Sequence, residues 1–168
     1  MEENDDEELD IDLSIKNLET LKLEGNKLYH DDSYSLAKDK FKEANKLIDK
    51  LLEYDLDEKQ VKEINQLHIQ MLSNESLCLY KLEKYDESSQ LELQIKEINP
   101  DWDKPYARLY RNYIIQGKID EALEMGKNLL NFDKSVLKKY GELINEINAR
   151  INQENSNENK SNNNCICY

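Results

Sequence analysis

Glycine and proline are scarce in this chain, with four and two among 168 residues. Sheet-rich folds use both at their turns, so the shortage argues against an all-β architecture. Long apolar runs are missing as well. None approaches the roughly 18–20 residues that a membrane-spanning helix needs. The three cysteines, Cys78, Cys165 and Cys167, are an odd number and cannot all pair into a disulfide framework. A surplus of base is also absent, since the formal net charge is -13. Nucleic-acid surfaces must neutralise phosphates, so no nucleic-acid partner is expected. The N-terminus is acidic rather than basic and apolar, unlike a secretory signal, and the expected compartment is the cytoplasm. No glycine-rich phosphate loop, nucleophile elbow or paired catalytic carboxylate can be seen. His30 and His68 lack Cys or carboxylate neighbours at metal-binding spacing. Neither an enzymatic activity nor a cofactor or metal is therefore expected.

What the chain does contain is charge and helical periodicity. Charged residues make up 35% and hydrophobic ones 38%, a balance that suits a thin helical array better than a thick globule. The first 13 residues hold eight acids and no base, and the remainder holds 28 acids against 23 bases. Residues 1–13 read as a disordered acidic tail. Residues 153–168, rich in Asn and ending in "CICY", read as a second. Helices fill 14–152. Ile15, Leu18, Leu21 and Leu28 mark the first, and "DDSY" breaks it, with Asp32 or Ser33 able to cap the next. That next helix carries Leu36, Phe41, Ala44, Leu47, Leu51 and Leu52. After "YDLDEKQ", where Asp57 and Gln60 have capping-box spacing, a long helix carries Val61, Ile64, Leu67, Leu72 and Leu79. Further breaks at "EKYD", "INPDWDKP", "QGKID" and "NFDKS" predict seven helices with short antiparallel connections.

The helix pairs repeat. Tyr34, Tyr85 and Ile119 share one position, and Ala37, Ser88 and Ala122 share another three residues on. Tyr85 and Ile119 are 34 apart, while Tyr34 and Tyr85 are 51 apart, an excess of 17. Gly25, Ala37, Phe41 and Ala44, then Tyr85 and Pro100, then Gly117, Ala122, Leu129 and Leu130 complete the pattern. On these residues the chain resembles the tetratricopeptide-repeat (TPR) family over about 14–152. The resemblance implies an all-α, right-handed α-solenoid. Its three helix pairs fall at about 18–51, 69–102 and 103–134, with a capping helix at 135–151. Ser76, Ser88 and Gly126 depart from the family's usual Gly, Ala and aromatic. The 17 extra residues fit as about two added turns on each helix flanking "YDLDEKQ".

Lys22 and Asn26 sit four apart on the first helix. Asn74 lies on the first helix of the second pair, and Lys104 and Arg108, again four apart, on that of the third. Converging ammonium, guanidinium and amide donors suit carboxylates, because charge-assisted bonds are roughly twice as strong as neutral ones. All five match in type the two-carboxylate clamp of TPR co-chaperones. That resemblance implies a partner, the C-terminal Glu-Glu-Val-Asp peptide of heat-shock chaperones. It also implies roles: Lys22, Asn26 and Asn74 hold the terminal carboxylate, Lys104 the Asp side chain, and Arg108 a group further back. Arg111, on the same stripe, and Leu77, three after Asn74, extend the expected groove. Pro105 places Lys104 at the helix start. Cys78 reads as a small core residue. Cys165, four from the C-terminus, is a lipidation candidate despite a poor prenylation context, and only its lipidation would bring a membrane partner. The expected protein is a monomeric, non-enzymatic adaptor or co-chaperone. Its rival is a scaffold that holds a GTPase or membrane partner on another surface.

Overall fold

The computed structural model describes residues 10–164. The described chain forms eight helices: α1 Ile11–His30, α2 Tyr34–Leu51, α3 Glu58–Lys81, α4 Tyr85–Ile98, α5 Asp103–Ile115, α6 Ile119–Leu130, α7 Lys134–Lys139 and α8 Gly141–Asn164. Two compact units meet between Leu91 and Glu92, inside α4.

In the first unit, α1, α2 and α3 each pack on the other two. Leu18, Ala37, Phe41, Ala44, Ile48, Leu51, Ile64, Leu67, Met71 and Cys78 form its core. The closest fit is at Gly25. A Cβ there would stand 2.6 Å from Phe41 Cε1, so this glycine lets α1 lie directly on the ring. Burial pushes the Cys78 thiol up to about 12, so it stays protonated as a packing residue.

The 17 extra residues divide unevenly. α2 has 18 residues against 12 in α6, and α3 has 24 against 13 in α5. The excess is therefore six on α2 and eleven on α3, rather than two turns on each. The addition brings its own core, since Ile48, Leu51 and Ile64 are fully buried. It also gives the start of α1 something to pack on, because Ile11 and Ile15 lie against this cluster. Hence α1 begins at Ile11, within the stretch expected to be a disordered tail, and Asp10 caps it by accepting from Leu13 N at 3.0 Å. Residues 1–9 lie outside the described chain. The capping box at α3 is present in both directions: Asp57 Oδ1 accepts from Gln60 N at 2.8 Å, and Gln60 Oε1 from Asp57 N at 3.0 Å. Leu36, Leu52 and Val61 are exposed, contrary to their place in the apolar pattern. They fall in the first turn of a helix or at a C-cap, where the buried stripe is incomplete.

One buried contact in this unit is polar. Asn45 Nδ2 donates to Glu75 Oε2 at 2.7 Å, while Asn45 Oδ1 has no hydrogen-bond partner among the described residues. Burial pushes the Glu75 carboxyl above its ordinary value of 4.5, and the Asn45 hydrogen bond only partly opposes this. A carboxyl raised on folding stabilises the fold while protonated. That contribution is lost as pH rises from 4.5 through the higher folded value. Glu75→Gln removes the buried charge and adds an N–H for the orphaned Asn45 oxygen. It is expected to raise stability by about 1 kcal/mol at neutral pH. Urea denaturation should show the gain shrinking as pH falls and lost below 4.5, where the wild-type carboxyl is protonated in both states.

The joints between paired helices repeat in geometry though not in sequence. Asp32 (φ 57), Glu83 (φ 60) and Gly117 (φ 71) each enter the left-handed region. The residue after each donates its backbone N–H five positions back, Ser33 to Leu28, Lys84 to Leu79 and Lys118 to Tyr113, all at 2.9 Å. This is the Schellman closure of a helix end. Edge-to-face ring pairs brace the first two joints, Tyr29 with Tyr34 at 5.2 Å and Tyr80 with Tyr85 at 5.4 Å. The third joint has Ile114 and Ile119 at those positions. Ser33 takes the N-cap position of α2 but makes no capping hydrogen bond.

In the second unit α6 packs on both α5 and α8. Ala107, Leu109, Tyr110, Ala122, Met125, Leu129, Leu143 and Ile147 form its core. A Cβ on Gly126 would lie 3.0 Å from Ile147 and 3.3 Å from the Tyr110 ring. The missing aromatic at 126 thus makes room for Tyr110 on the opposing helix. The capping helix expected at 135–151 is two helices. Asp133 caps α7 through Ser135 N and Val136 N. Tyr140 then leaves helical geometry, and its hydroxyl donates to Asp103. α8 runs on to Asn164 instead of ending at 151, so the expected disordered stretch at 153–164 is helical. No Gly or Pro follows Gly141, and extending a formed helix costs little. Lys127 also ties Glu154 to α6 at 3.4 Å.

Candidate functional site

The first three predicted residues lie in the first unit. Lys22 and Asn26 are half-buried on α1, and Asn74 is half-buried on α3. Asn74 Nδ2 donates to Asn26 Oδ1 at 3.2 Å, and Lys22 Nζ donates to Gln70 Oε1 at 3.5 Å. Both pairs are 48 residues apart and climb α1 and α3 in the same direction. They are two rungs between helices that run parallel. Buried Ser14, Leu18 and Gly25 set α1 against the core and leave Lys22 and Asn26 on the side facing α3. Lys22 has no carboxylate partner among the described residues, so its charge is uncompensated at short range. The bond between the two amides leaves N–H donors on both Asn residues for a third group. Gln70 was not anticipated from sequence. Its signal is its place four residues before Asn74 on one face of α3. Leu77 is half-buried on the same helix.

The remaining predicted residues lie on α5, in the second unit. Trp102 is the N-cap, and Pro105 falls in the first turn, where no backbone N–H is needed. Lys104 is therefore helical, exposed, and free to lean over the Trp102 ring at 5.4 Å. Arg108, one turn on, differs. Its Nη1 donates to Glu92 Oε1 at 3.0 Å, and the Glu92 side chain is 0% exposed. Arg108 thus neutralises a buried carboxylate at the same time as it presents a guanidinium edge. Arg111 is exposed on the same stripe.

A second polar cluster lies at the start of α5. Asp103 is buried and accepts from Lys139 Nζ at 2.8 Å and from Tyr140. Burial pushes its carboxyl up, but those two hydrogen bonds and the Lys139 charge outweigh burial and hold it below the usual aspartate range. Burial and the bond to Asp103 push the Tyr140 hydroxyl up, so it stays a donor. No metal-holding group of His, Cys, Asp or Glu occurs among the described residues. No described helix is long and apolar enough to cross a membrane. Cys165 lies outside the described residues.

No family model matches the chain. Solved structures do. The C-terminal TPR-containing domain of a Plasmodium falciparum FK506-binding protein superposes with a TM-score of 0.74 at 18% identity, covering 90% of this chain and 97% of that one. The Hsp90 co-chaperone Cns1 from Saccharomyces cerevisiae superposes with a TM-score of 0.62 at 19% identity, covering 90% of this chain and 45% of that one. The joints recurring at 51 and 34 residues and these superpositions agree: the chain has the all-α solenoid fold of tetratricopeptide-repeat domains.

Proposed function

We propose that this protein is a non-enzymatic adaptor of the chaperone system that holds the free C-terminus of an acidic peptide, of the Glu-Glu-Val-Asp type that ends heat-shock chaperones. The observation that carries the reading is the Asn26–Asn74 bond beside Lys22, which puts amide donors and an unneutralised ammonium on adjoining helices. A terminal carboxylate needs that combination, because both of its oxygens accept and its charge must be met. In this reading Lys22, Asn26 and Asn74 take the terminal carboxylate, Lys104 the last side chain, and Arg108 a group further back. The co-chaperone status of a protein with the same fold adds support.

The test is fluorescence titration with labelled Met-Glu-Glu-Val-Asp and with its C-terminal amide. The free acid is expected to bind with a dissociation constant of about 1 μM, and the amide at least about tenfold more weakly. Lys22→Ala and Lys104→Ala should each weaken the acid selectively. Equal affinity for acid and amide rules out the clamp. A second reading, a scaffold with its contact surface on the elongated first layer, rests on Leu52, Tyr54 and Val61, which are exposed at that tip. It gains if acid and amide bind alike.

A further inference from the structure

The second unit separates its charges by helix. α5 carries Lys104, Arg108 and Arg111 against one acid, Asp103, and α7 carries Lys134, Lys138 and Lys139 against none. α6 instead holds Asp120, Glu121 and Glu124 against Lys127. In the first unit, α1 and α3 mix both signs evenly. The separation is notable in a chain of net charge -13.

The bases of α5 and α7 also come together. Lys139 reaches Asp103 at the start of α5, and Arg108 and Arg111 both act through their charge on Tyr140 at the end of α7. Asp103 is buried beneath this group and already takes two donors. Lys104 and Arg111 have no carboxylate partner among the described residues. Tyr140, where α7 ends, is bound to the same Asp103, so the end of α7 is held against the start of α5.

We infer that the α5 stripe and the end of α7 form a basic lane for a run of acidic residues in the bound peptide, immediately upstream of its C-terminal clamp sequence. This rests on the clamp reading, in which Lys104 holds the last side chain and Arg108 a group further back, leaving Arg111, one turn on along α5, and Lys139, beside the start of α5, for the acidic run. Several like charges around one buried anion favour an extended acidic segment. Each contact is an exposed one of modest strength, and the lane gains by summing them.

The experiment titrates the full chain with two labelled peptides that end in Met-Glu-Glu-Val-Asp, one preceded by a run of Glu and the other by a run of Gln. The Glu peptide is expected to bind about three- to tenfold tighter, and salt should remove the difference. Arg111→Gln with Lys139→Gln should abolish the preference; Gln at 139 keeps an N–H for Asp103. Equal binding of the two peptides, or a preference that survives in the double variant, overturns the lane. If the amidated peptides bind as well as the free acids and the Glu preference persists, the clamp falls and the lane stands. Sedimentation with phosphatidylserine vesicles that is lost in the double variant, with peptide preference unchanged, assigns the lane to lipid and overturns the peptide. The salt dependence of the Glu preference is read on the wild-type chain, so the test does not hang on the variants folding.

Discussion

Arg108→Ala is expected to lower stability by about 3 kcal/mol, while Lys104→Ala, one turn earlier on the same helix, changes it by less than about 0.5 kcal/mol. Both residues belong to the proposed clamp, and both are cations on α5. They differ in what lies behind them. Lys104 is exposed and leans on Trp102, so its loss frees no buried group. Arg108 faces Glu92, whose side chain is fully buried, and its removal takes a guanidinium from a carboxylate that water cannot reach. Glu92→Gln in the Arg108→Ala background should recover most of the loss, because a neutral amide costs less to bury than a carboxylate that has lost its guanidinium. Urea denaturation of the three variants measures this. Equal stability of Arg108→Ala and wild type would show that the pair contributes nothing. The contrast also orders the functional tests. Lys104→Ala reports on peptide binding directly, whereas Arg108→Ala reports on it only where the variant is shown to be folded.

Gly25→Ala should cost about 1–3 kcal/mol, although alanine is the better helix former by about 1 kcal/mol. The added methyl would lie 2.6 and 2.7 Å from two atoms of the Phe41 ring, and Phe41 is 0% exposed, so the ring has no free side to move towards. Either α1 lifts from α2 or the ring leaves its rotamer, and both disturb the core around Leu18 and Ala44. Phe41→Leu alone leaves a cavity, but combined with Gly25→Ala the two changes should cost less than their sum. A double-mutant cycle with a coupling of at least about 0.5 kcal/mol would place the steric contact between these two residues.

The repeat register could be read from sequence because it depends on local chemistry. Tyr34, Tyr85 and Ile119 each follow a left-handed residue by two positions, and the joints recur at the same 51 and 34 spacings. The Asp57–Gln60 box is local in the same way. What sequence missed depends on distant partners. The break between α7 and α8 requires Tyr140 to find Asp103, 37 residues away. The early start of α1 requires the elongated α2 and α3 to supply a surface for Ile11 and Ile15. For the candidate site, helix spacing put Lys22 beside Asn26 and Lys104 before Arg108. The bond from Asn26 to Asn74 follows once the register is known. The burial of Glu92 beneath Arg108 does not, because at the position equivalent to Phe41 a carboxylate reads as a surface residue.

The fit of each helix pair is keyed differently. The first sets a glycine of α1 against a phenylalanine of α2, and the third sets a tyrosine of α5 against a glycine of α6. Modules cut at the joints are therefore not interchangeable. Grafting α5 onto α2 would put two rings in one place, and grafting α1 onto α6 would leave a hole the size of a ring. Although its backbone repeats, the array can be assembled in one order only.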